Sequence, residues 1–151
     1  MNIVTLHSFH LIGIVVRTTN ENGQSGIDIP ELWKQFWSKN ILSAITNRID
    51  NSVYSVYSDY EKDYTKPYTT MLGCRVDNLD AIPEGLTGKT FPGGSYQVFN
   101  VKGRLSDNIV FQEWQKIWTS DIERAYTADF EVYGDKAQNP DNAEVDIFVA
   151  V

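Results

Sequence analysis

The sequence predicts an α+β fold in which an antiparallel sheet carries two helices on one face. A long-range repeat is the first reason: LWKQFWSKNI at 32–41 matches EWQKIWTSDI at 113–122 at a shift of 81. A second repeat follows each of these helical segments, because SVYSD at 55–59 matches EVYGD at 131–135 at a shift of 76. A solenoid needs at least about three repeats. The two copies therefore indicate one domain made of two pseudo-symmetric modules.

Each element of the first module has its own signal. Residues 8–18 are apolar and β-branched, which predicts a strand. Pro30 suits the first turn of a helix, and an apolar stripe of helical spacing continues to about residue 46. Strands are predicted at 53–58 and 69–77. The module order is strand–helix–strand–strand.

The second module repeats that order. A strand at 89–101 is interrupted at 92–94 by Pro-Gly-Gly, which predicts a bulge or an edge position. Asp107 is a suitable N-cap for a helix that runs to about residue 124. Closing strands are predicted at 128–134 and 145–151.

Residues 78–88 contain Pro and Gly and are predicted to link modules 1–77 and 89–151 of a single domain, 1–151. The shift of 81 also places Gly13 on Gly94, near the start of an apolar run in each module. We expect two strand–helix–strand–strand modules that form an antiparallel sheet, with both helices on one face of it.

The composition narrows the class of protein. The net charge of −7 argues against a nucleic-acid footprint, which needs clustered Lys and Arg. The chain has one cysteine, no signal peptide and no long apolar span, so we expect a cytoplasmic protein without a membrane segment. His7 and His10 lack further ligands at zinc spacing, and we expect neither a metal nor a cofactor.

Two tryptophan pairs, Trp33/Trp37 and Trp114/Trp118, each share one face of a helix because their members are four residues apart. Core packing would explain each indole taken alone. A groove between the helices is the alternative, where aromatic faces bind a flat or cationic ligand. The sequence does not decide which Trp of each pair faces the groove.

Glu131 is the acidic residue that breaks the repeat. Strand alternation places it on one face with Asp129 and Tyr133, and alternation alone predicts that this face is exposed. The matching positions of the first module hold Ser55 and Tyr57, and a shared Tyr favours a common interior instead. A carboxylate there would need a raised pKa or a compensating cation.

A set of motifs along the chain resembles the effector-binding domain family, the GyrI-like superfamily that also occurs C-terminal to AraC-type DNA-binding regions. The motifs are PELWKQFW at 30–37, YSVYSDY at 54–60, YTTMLG at 68–73, PGGSYQVF at 92–99, WQKIW at 114–118 and ADFEVY at 128–133. The resemblance implies a ligand groove between the helices and assigns Glu131 to it, with Tyr133 beside this glutamate and Trp118 above.

We predict a binding site for an aromatic or cationic compound between the helices. Its candidate ligand-binding residues are Glu131, Tyr133, Trp118, Trp37, Tyr57, Tyr96 and Phe99. No catalytic residue and no metal ligand is assigned.

The leading function is a stand-alone bacterial sensor or sequestering protein for amphipathic compounds, of the multidrug-binding and transcription-regulation type. The chain shows no helix-turn-helix segment, so we expect no direct nucleic-acid binding and, as its protein partner, a separate regulator. The resemblance also implies an enzymatic alternative, a hydrolase of cyclopropane-bearing genotoxins with Glu131 as general base. A third alternative is a protein-interaction module that antagonises a toxin or binds gyrase.

Overall fold

The computed structural model describes residues 2–151, so Met1, the first residue of the predicted domain, lies outside the described residues. Within them the chain forms eight strands: β1 Ile3–Leu6, β2 Phe9–Thr18, β3 Val53–Ser58, β4 Tyr68–Val76, β5 Thr87–Phe91, β6 Gly94–Gly103, β7 Ala128–Tyr133 and β8 Ala143–Ala150. The α-helices of the same residues are α1 Ser25–Ser38, α2 Ile41–Ala44 and α3 Ile109–Trp118. Short 3₁₀ helices lie at Glu21–Gly23, Leu105–Asp107 and Asp135–Ala137.

All eight strands belong to one sheet whose order is β1-β6-β8-β7-β3-β4-β2-β5. Every neighbouring pair is antiparallel. Exchanging β1 with β5, β2 with β6, β3 with β7 and β4 with β8 reverses this order end to end. A pseudo-twofold axis therefore passes between β3 and β7. The predicted antiparallel α+β fold is confirmed.

Each module has one strand more than the predicted strand–helix–strand–strand order. The apolar run at 8–18 is preceded by β1, which pairs with β6 at the far end of the sheet. The run at 89–101 is divided at Pro92 and Gly93 into β5 and β6, which lie near opposite ends of the sheet. The Pro-Gly segment is thus a break between two strands, not a bulge within one. It directly follows β5, an edge strand of the sheet, so the predicted edge position is confirmed.

The helices cover one face of the sheet, as predicted. One apolar cluster joins Leu32 and Phe36 of α1 to β2 and β4, and another joins Trp114 and Ile117 of α3 to β6 and β8. Tyr133 of β7 packs against both clusters, which places the two helices on the same side. The residues of the other face form a third cluster of mainly aromatic side chains.

The sheet curls toward this third cluster. Phe9 from β2 and Tyr96 from β6 both contact Phe130, at ring-centroid distances of 5.2 and 5.4 Å, although β2 and β6 stand five places apart in the sheet. Gly13 and Gly73 face each other across β2 and β4, where an added Cβ on Gly13 would lie 1.9 Å from the Leu72 carbonyl oxygen. This close backbone approach requires glycine.

The match of Gly13 to Gly94 is not structural. Gly13 lies in the middle of β2, whereas Gly94 is the first residue of β6. The two glycines therefore do not occupy equivalent positions, and the structural repeat follows the helices and central strands.

The helix boundaries also differ from those predicted. α1 begins at Ser25, so Pro30 lies inside it, and the chain turns at Asn40 with a φ of 54° before α2. α3 ends at Trp118, well before residue 124. Asp107 belongs to a 3₁₀ turn, and Asn108 with a left-handed backbone precedes α3 in place of the predicted cap.

Replacing Gly13 by alanine should destabilise the protein by at least about 2 kcal/mol, because the new methyl group meets backbone atoms that cannot rotate away. The measurement is urea unfolding followed by tryptophan fluorescence. Gly26→Ala is the control, since nothing lies within 4 Å of an added Cβ at that helical position. Equal unfolding midpoints for the two variants would contradict the close approach of β2 and β4.

Candidate functional site

The pseudo-twofold axis brings the repeated motifs into direct contact. In the β3–β7 pair, Ser55 lies opposite Glu131, which is one of the two positions at which SVYSD and EVYGD differ, and both side chains are buried. Tyr57 and Tyr133 project from the same face as Glu131 because side chains alternate along a strand. The face of this strand pair that carries the acid is therefore an interior surface, not the exposed one that alternation alone predicted.

Glu131 is 2% exposed and accepts hydrogen bonds on both carboxylate oxygens. The Tyr57 hydroxyl donates to Oε2 at 2.7 Å, and the Trp114 indole Nε1 donates to the same oxygen at 2.6 Å. The Tyr133 hydroxyl donates to Oε1 at 2.6 Å. These donors come from β3, α3 and β7, so the carboxylate ties both modules and one helix together. All three are neutral groups.

Burial determines the acid–base behaviour of this cluster. Loss of water raises the pKa of the Glu131 carboxyl above its ordinary value, and the three hydrogen bonds lower it only in part. The pKa values of Tyr57 and Tyr133 rise well above that of a free tyrosine, first through burial and then through the negative charge of Glu131. Both hydroxyls therefore stay protonated and remain donors.

The two helices place equivalent tryptophans over opposite modules. Trp33 of α1 packs edge-on against Tyr133 at 5.0 Å, and Trp114 of α3 packs edge-on against Tyr57 at 5.6 Å. Only the Trp114 N–H reaches Glu131 among the residues described. The acid thus makes the two sides of a nearly symmetric aromatic cluster chemically different.

A cavity of about 80 Å³ opens on the Trp114 side of this cluster. It lies between the N-terminal turns of α1 and the face of α3, over β3 and β4. Its side chains are mostly aromatic: Asn20, Ser25, Ile29, Tyr57, Tyr60, Tyr64, Tyr68, Phe111, Trp114, Trp118 and Arg124. Tyr57 and Trp114 separate the cavity from the Glu131 carboxylate to which both donate.

The outer part of the cavity is formed by stacked rings. Trp118 stacks on Tyr64 with ring planes 3° apart and centroids 5.3 Å apart. Phe111 contacts Trp118 edge-on and is 51% exposed, an unusual environment for a phenylalanine. These rings offer flat apolar surface to a ligand arriving from solvent.

A buried ion pair borders the same cavity. Arg124 donates from Nη2 to Asp129 Oδ2 at 2.7 Å, with side chains 4% and 0% exposed. Asp129 also accepts the Tyr60 hydroxyl at 2.6 Å and the Ala150 backbone N–H at 2.8 Å. The pair is therefore neutral as a unit, so an ionised Glu131 would be the one unbalanced charge of the site.

The structure brings four of the seven predicted ligand-binding residues together. Tyr57 and Trp118 line the cavity, and Glu131 and Tyr133 lie directly behind its aromatic lining. Their role in ligand binding stays a prediction.

The other three lie elsewhere. Trp37 is 56% exposed on the outer side of α1, where it stacks on Trp33. Tyr96 belongs to the aromatic cluster on the opposite face of the sheet. Phe99 packs against the cluster under α3 without lining the cavity. The alternation of side chains along β6 explains the position of Tyr96, because it points this side chain away from the helices.

Sequence reasoning missed most of the cavity. Tyr60 and Tyr64 lie in a segment that reads as a polar, solvated connection between β3 and β4. Their signal was the recurrence of tyrosine through 54–68, which was masked by the charged residues in between. Arg124 carried no local signal, because its partner Asp129 lies on a strand and the pairing depends on the tertiary structure.

A second cavity, of about 260 Å³, lies on the opposite face of the sheet. It is larger and is lined by Phe9, Tyr54 and Phe130 together with Arg75 and His7. No carboxylate is among its lining residues in the described part of the chain. The predicted combination of aromatic rings and an adjacent acid therefore points to the cavity on the helix side.

The fold and the aromatic cavity beside a buried carboxylate define a small-molecule effector-binding domain. The chain belongs to the family described as "Cass2: Integron-associated effector binding protein", whose model matches residues 2–151. This membership confirms the resemblance to the GyrI-like effector-binding domains.

The chain is similar to two relatives in sequence and to a further protein in fold. It is 34% identical over 127 residues to the "Putative transcriptional regulator protein YobU" of Bacillus subtilis (strain 168), covering 82% of this chain and 79% of that protein. The integron cassette protein VCH_CASS2 of Vibrio cholerae has a TM-score of 0.76 and 31% identity, with 99% and 94% of the two chains covered. SAV2435, solved bound to tetraphenylphosphonium, has a TM-score of 0.77 and 17% identity, with 98% and 91% covered. The last likeness concerns the fold.

No cluster of three or more His, Cys, Asp or Glu side chains with metal-binding geometry occurs among residues 2–151. No helix in that range is long and apolar enough to cross a membrane.

Tyr133→Phe should lower the free energy of unfolding by about 1–3 kcal/mol at neutral pH, because it leaves Oε1 of a buried carboxylate without its donor. The loss should shrink as the pH falls through the raised pKa of Glu131, since a protonated carboxyl depends less on donors. Urea unfolding at a series of pH values measures both effects.

Tyr96→Phe is the matched control, because that buried hydroxyl makes only a 3.5 Å contact with the Pro92 carbonyl. Its cost should be smaller and independent of pH in the same range. A pH-independent cost for Tyr133→Phe would contradict an ionised Glu131 in the folded protein.

Proposed function

We propose that this protein binds amphipathic aromatic cations and acts as their sensor or as a sequestering factor. One observation carries the proposal: Glu131 is a buried carboxylate whose partners are three neutral donors, next to a cavity lined by seven aromatic side chains. Arg124 and Asp129 cancel each other, so the buried groups of the site leave one negative charge. A monovalent cation would balance it.

The aromatic lining can extend the electrostatic effect of that charge to a ligand in the cavity. Tyr57 and Trp114 each donate a hydrogen bond to Glu131 and present ring surface to the cavity. Donation to a carboxylate increases the electron density of the rings and strengthens their attraction for a cation. A cation within about 6 Å of these rings would gain both cation–π attraction and the Coulomb field of the acid.

The relatives are consistent with this ligand class. SAV2435, which shares the fold, was solved with tetraphenylphosphonium, a cation surrounded by aromatic rings. The regulator-type name of YobU supports a sensing role that would act through a separate DNA-binding partner. The aromatic cavity and the unbalanced acid of this chain match such a ligand independently of these names.

The hydrolase alternative receives less support from the geometry. A general base needs an oxygen within hydrogen-bond reach of the proton that it removes. Both oxygens of Glu131 already accept hydrogen bonds, and the rings of Tyr57 and Trp114 lie between the acid and the cavity. Ligand binding requires no rearrangement of these bonds, whereas base catalysis does. The protein-interaction alternative rests on the resemblance to the GyrI-like superfamily and on the net charge of −7.

Glu131→Gln should preserve folding and weaken the binding of tetraphenylphosphonium about tenfold to a hundredfold, equivalent to about 1.5–3 kcal/mol. Its counterpart Ser55 shows that the fold accepts a neutral side chain at this strand position. A neutral ligand of similar shape, triphenylmethanol, should lose much less affinity. Titration of tryptophan fluorescence, checked by calorimetry, measures both constants.

Glu144→Gln is the control, because it removes one negative charge from β8 outside the cavity. It should leave both affinities within about twofold of wild type, since this charge lies outside the cavity and is already near the ammonium groups of Lys102 and Lys136. Unchanged cation affinity in Glu131→Gln would refute the proposed role of the acid.

The affinity for tetraphenylphosphonium should also depend on pH in a defined direction. Protonation of Glu131 removes the balancing charge, so the affinity should fall as the pH is lowered through the raised pKa of this carboxyl. Bound cation should in turn lower that pKa and release a proton. Calorimetric titrations in buffers of different ionisation enthalpy would detect the release, and Glu131→Gln should abolish it.

A further inference from the structure

Arg124 lines the aromatic cavity that we assign to cationic ligands, although it is itself a cation. Its side chain is 4% exposed, and its Nη2 is committed to Asp129. The same nitrogen lies 3.5 Å from the Tyr60 hydroxyl. The bond to Asp129 uses only one nitrogen of the guanidinium, so Nε and Nη1 are left uncommitted within residues 2–151 although both are buried.

Two guanidinium nitrogens have no protein partner. Nε and Nη1 of Arg124, which carry three of the five guanidinium N–H bonds, form no hydrogen bond with any residue of 2–151. Aromatic rings lie against the group, with Tyr126 at 4.3 Å and Trp114 at 5.6 Å from Cζ. A ring stacked on a guanidinium does not accept its in-plane N–H bonds. Buried donors of this kind are costly unless something accepts from them.

The charge of the site decides which acceptor fits. Asp129 already neutralises Arg124, so the unpartnered nitrogens offer hydrogen bonds without a net positive charge. A ligand carboxylate would add a second unbalanced negative charge beside Glu131 in a poorly solvated site. A neutral oxygen avoids that cost and can accept from a charged donor, which gives a strong hydrogen bond.

We propose that Arg124 is a specificity-determining residue of the cavity and that it selects aromatic cations carrying a carbonyl oxygen, such as an aryl ketone, ester or amide. The carbonyl accepts from Nε or Nη1 of Arg124 while the cationic centre faces the rings in front of Glu131. This inference rests on the proposed function, because it assigns a second recognition point within the same cavity.

The sharpest test compares tetraphenylphosphonium with (4-acetylphenyl)triphenylphosphonium, which differ by one acetyl group. Wild-type protein should bind the acetyl compound about tenfold more tightly. Arg124→Lys should bind the two cations equally, because lysine keeps the charge opposite Asp129 but lacks the additional planar donors. Calorimetry gives the ratio of the two dissociation constants for each variant.

Arg48→Lys is the matched control. Arg48 is the counterpart of Arg124 at the shift of 76, and its Nε is likewise buried and unpartnered among residues 2–151. Its Nη1 donates to the carbonyls of Leu42 and Ile45, away from the cavity. The preference for the acetyl compound should persist in this variant.

Arg124→Met combined with Asp129→Asn provides a second variant in case Arg124→Lys does not fold, since it removes both charges of the buried pair together. Loss of the acetyl preference in this double variant supports the inference equally. A preference that persists without Arg124, or no preference in wild type, overturns it.

The outcomes separate this inference from the function on which it rests. If tetraphenylphosphonium binds through Glu131 and acetylation adds nothing, only the Arg124 inference fails. If the acetyl compound alone binds, and does so through Arg124, the inference stands and the proposed binding of simple aromatic cations fails. If neither compound binds, both fail.

Discussion

The hydrogen bonding of one buried carboxylate organises the centre of this molecule. Glu131 lies on the pseudo-twofold axis, where transferring a charge from water costs several kcal/mol unless donors compensate it. Three donors from three different elements converge on it, so each strand and helix around the axis must keep its position for the acid to remain satisfied. Under the proposed function, the same carboxylate would give the neighbouring aromatic cavity its preference for cations.

The two modules are nearly symmetric, but the acid Glu131 of the second module corresponds to Ser55 in the first. The edge-on contacts Trp33–Tyr133 and Trp114–Tyr57 repeat across the axis and pack each helix onto the partner module. Glu131 has Ser55 as its counterpart, so only one of the two indoles gains an acceptor. A charged cluster of this kind occurs on one side of the axis within the described chain, and the aromatic cavity lies on that side.

The cavity combines weakly directional surface with localised polar groups. Trp118 stacks on Tyr64, and stacked rings could hold flat ligands in several orientations, because dispersion and cation–π attraction are only weakly directional. Discrimination between ligands by hydrogen bonds would therefore depend on the few polar atoms that border the rings. Arg124 is such a group, since its unpartnered N–H bonds have fixed directions once Asp129 holds the guanidinium.

The sequence by itself determined the repeat, the α+β class and the common face of both helices, but it left open whether Glu131 is exposed or interior. These features follow from the local periodicity of the sequence and from the comparison of its two modules, both of which are present in the one chain. Tertiary structure decided the remainder: the division of the 89–101 run between distant strands, the placement of Tyr96 on the far face, and the assembly of Tyr60, Tyr64 and Arg124 around the cavity. The physical reason is that sheet curl and loop packing join residues far apart in the chain, and no local pattern encodes which of them meet.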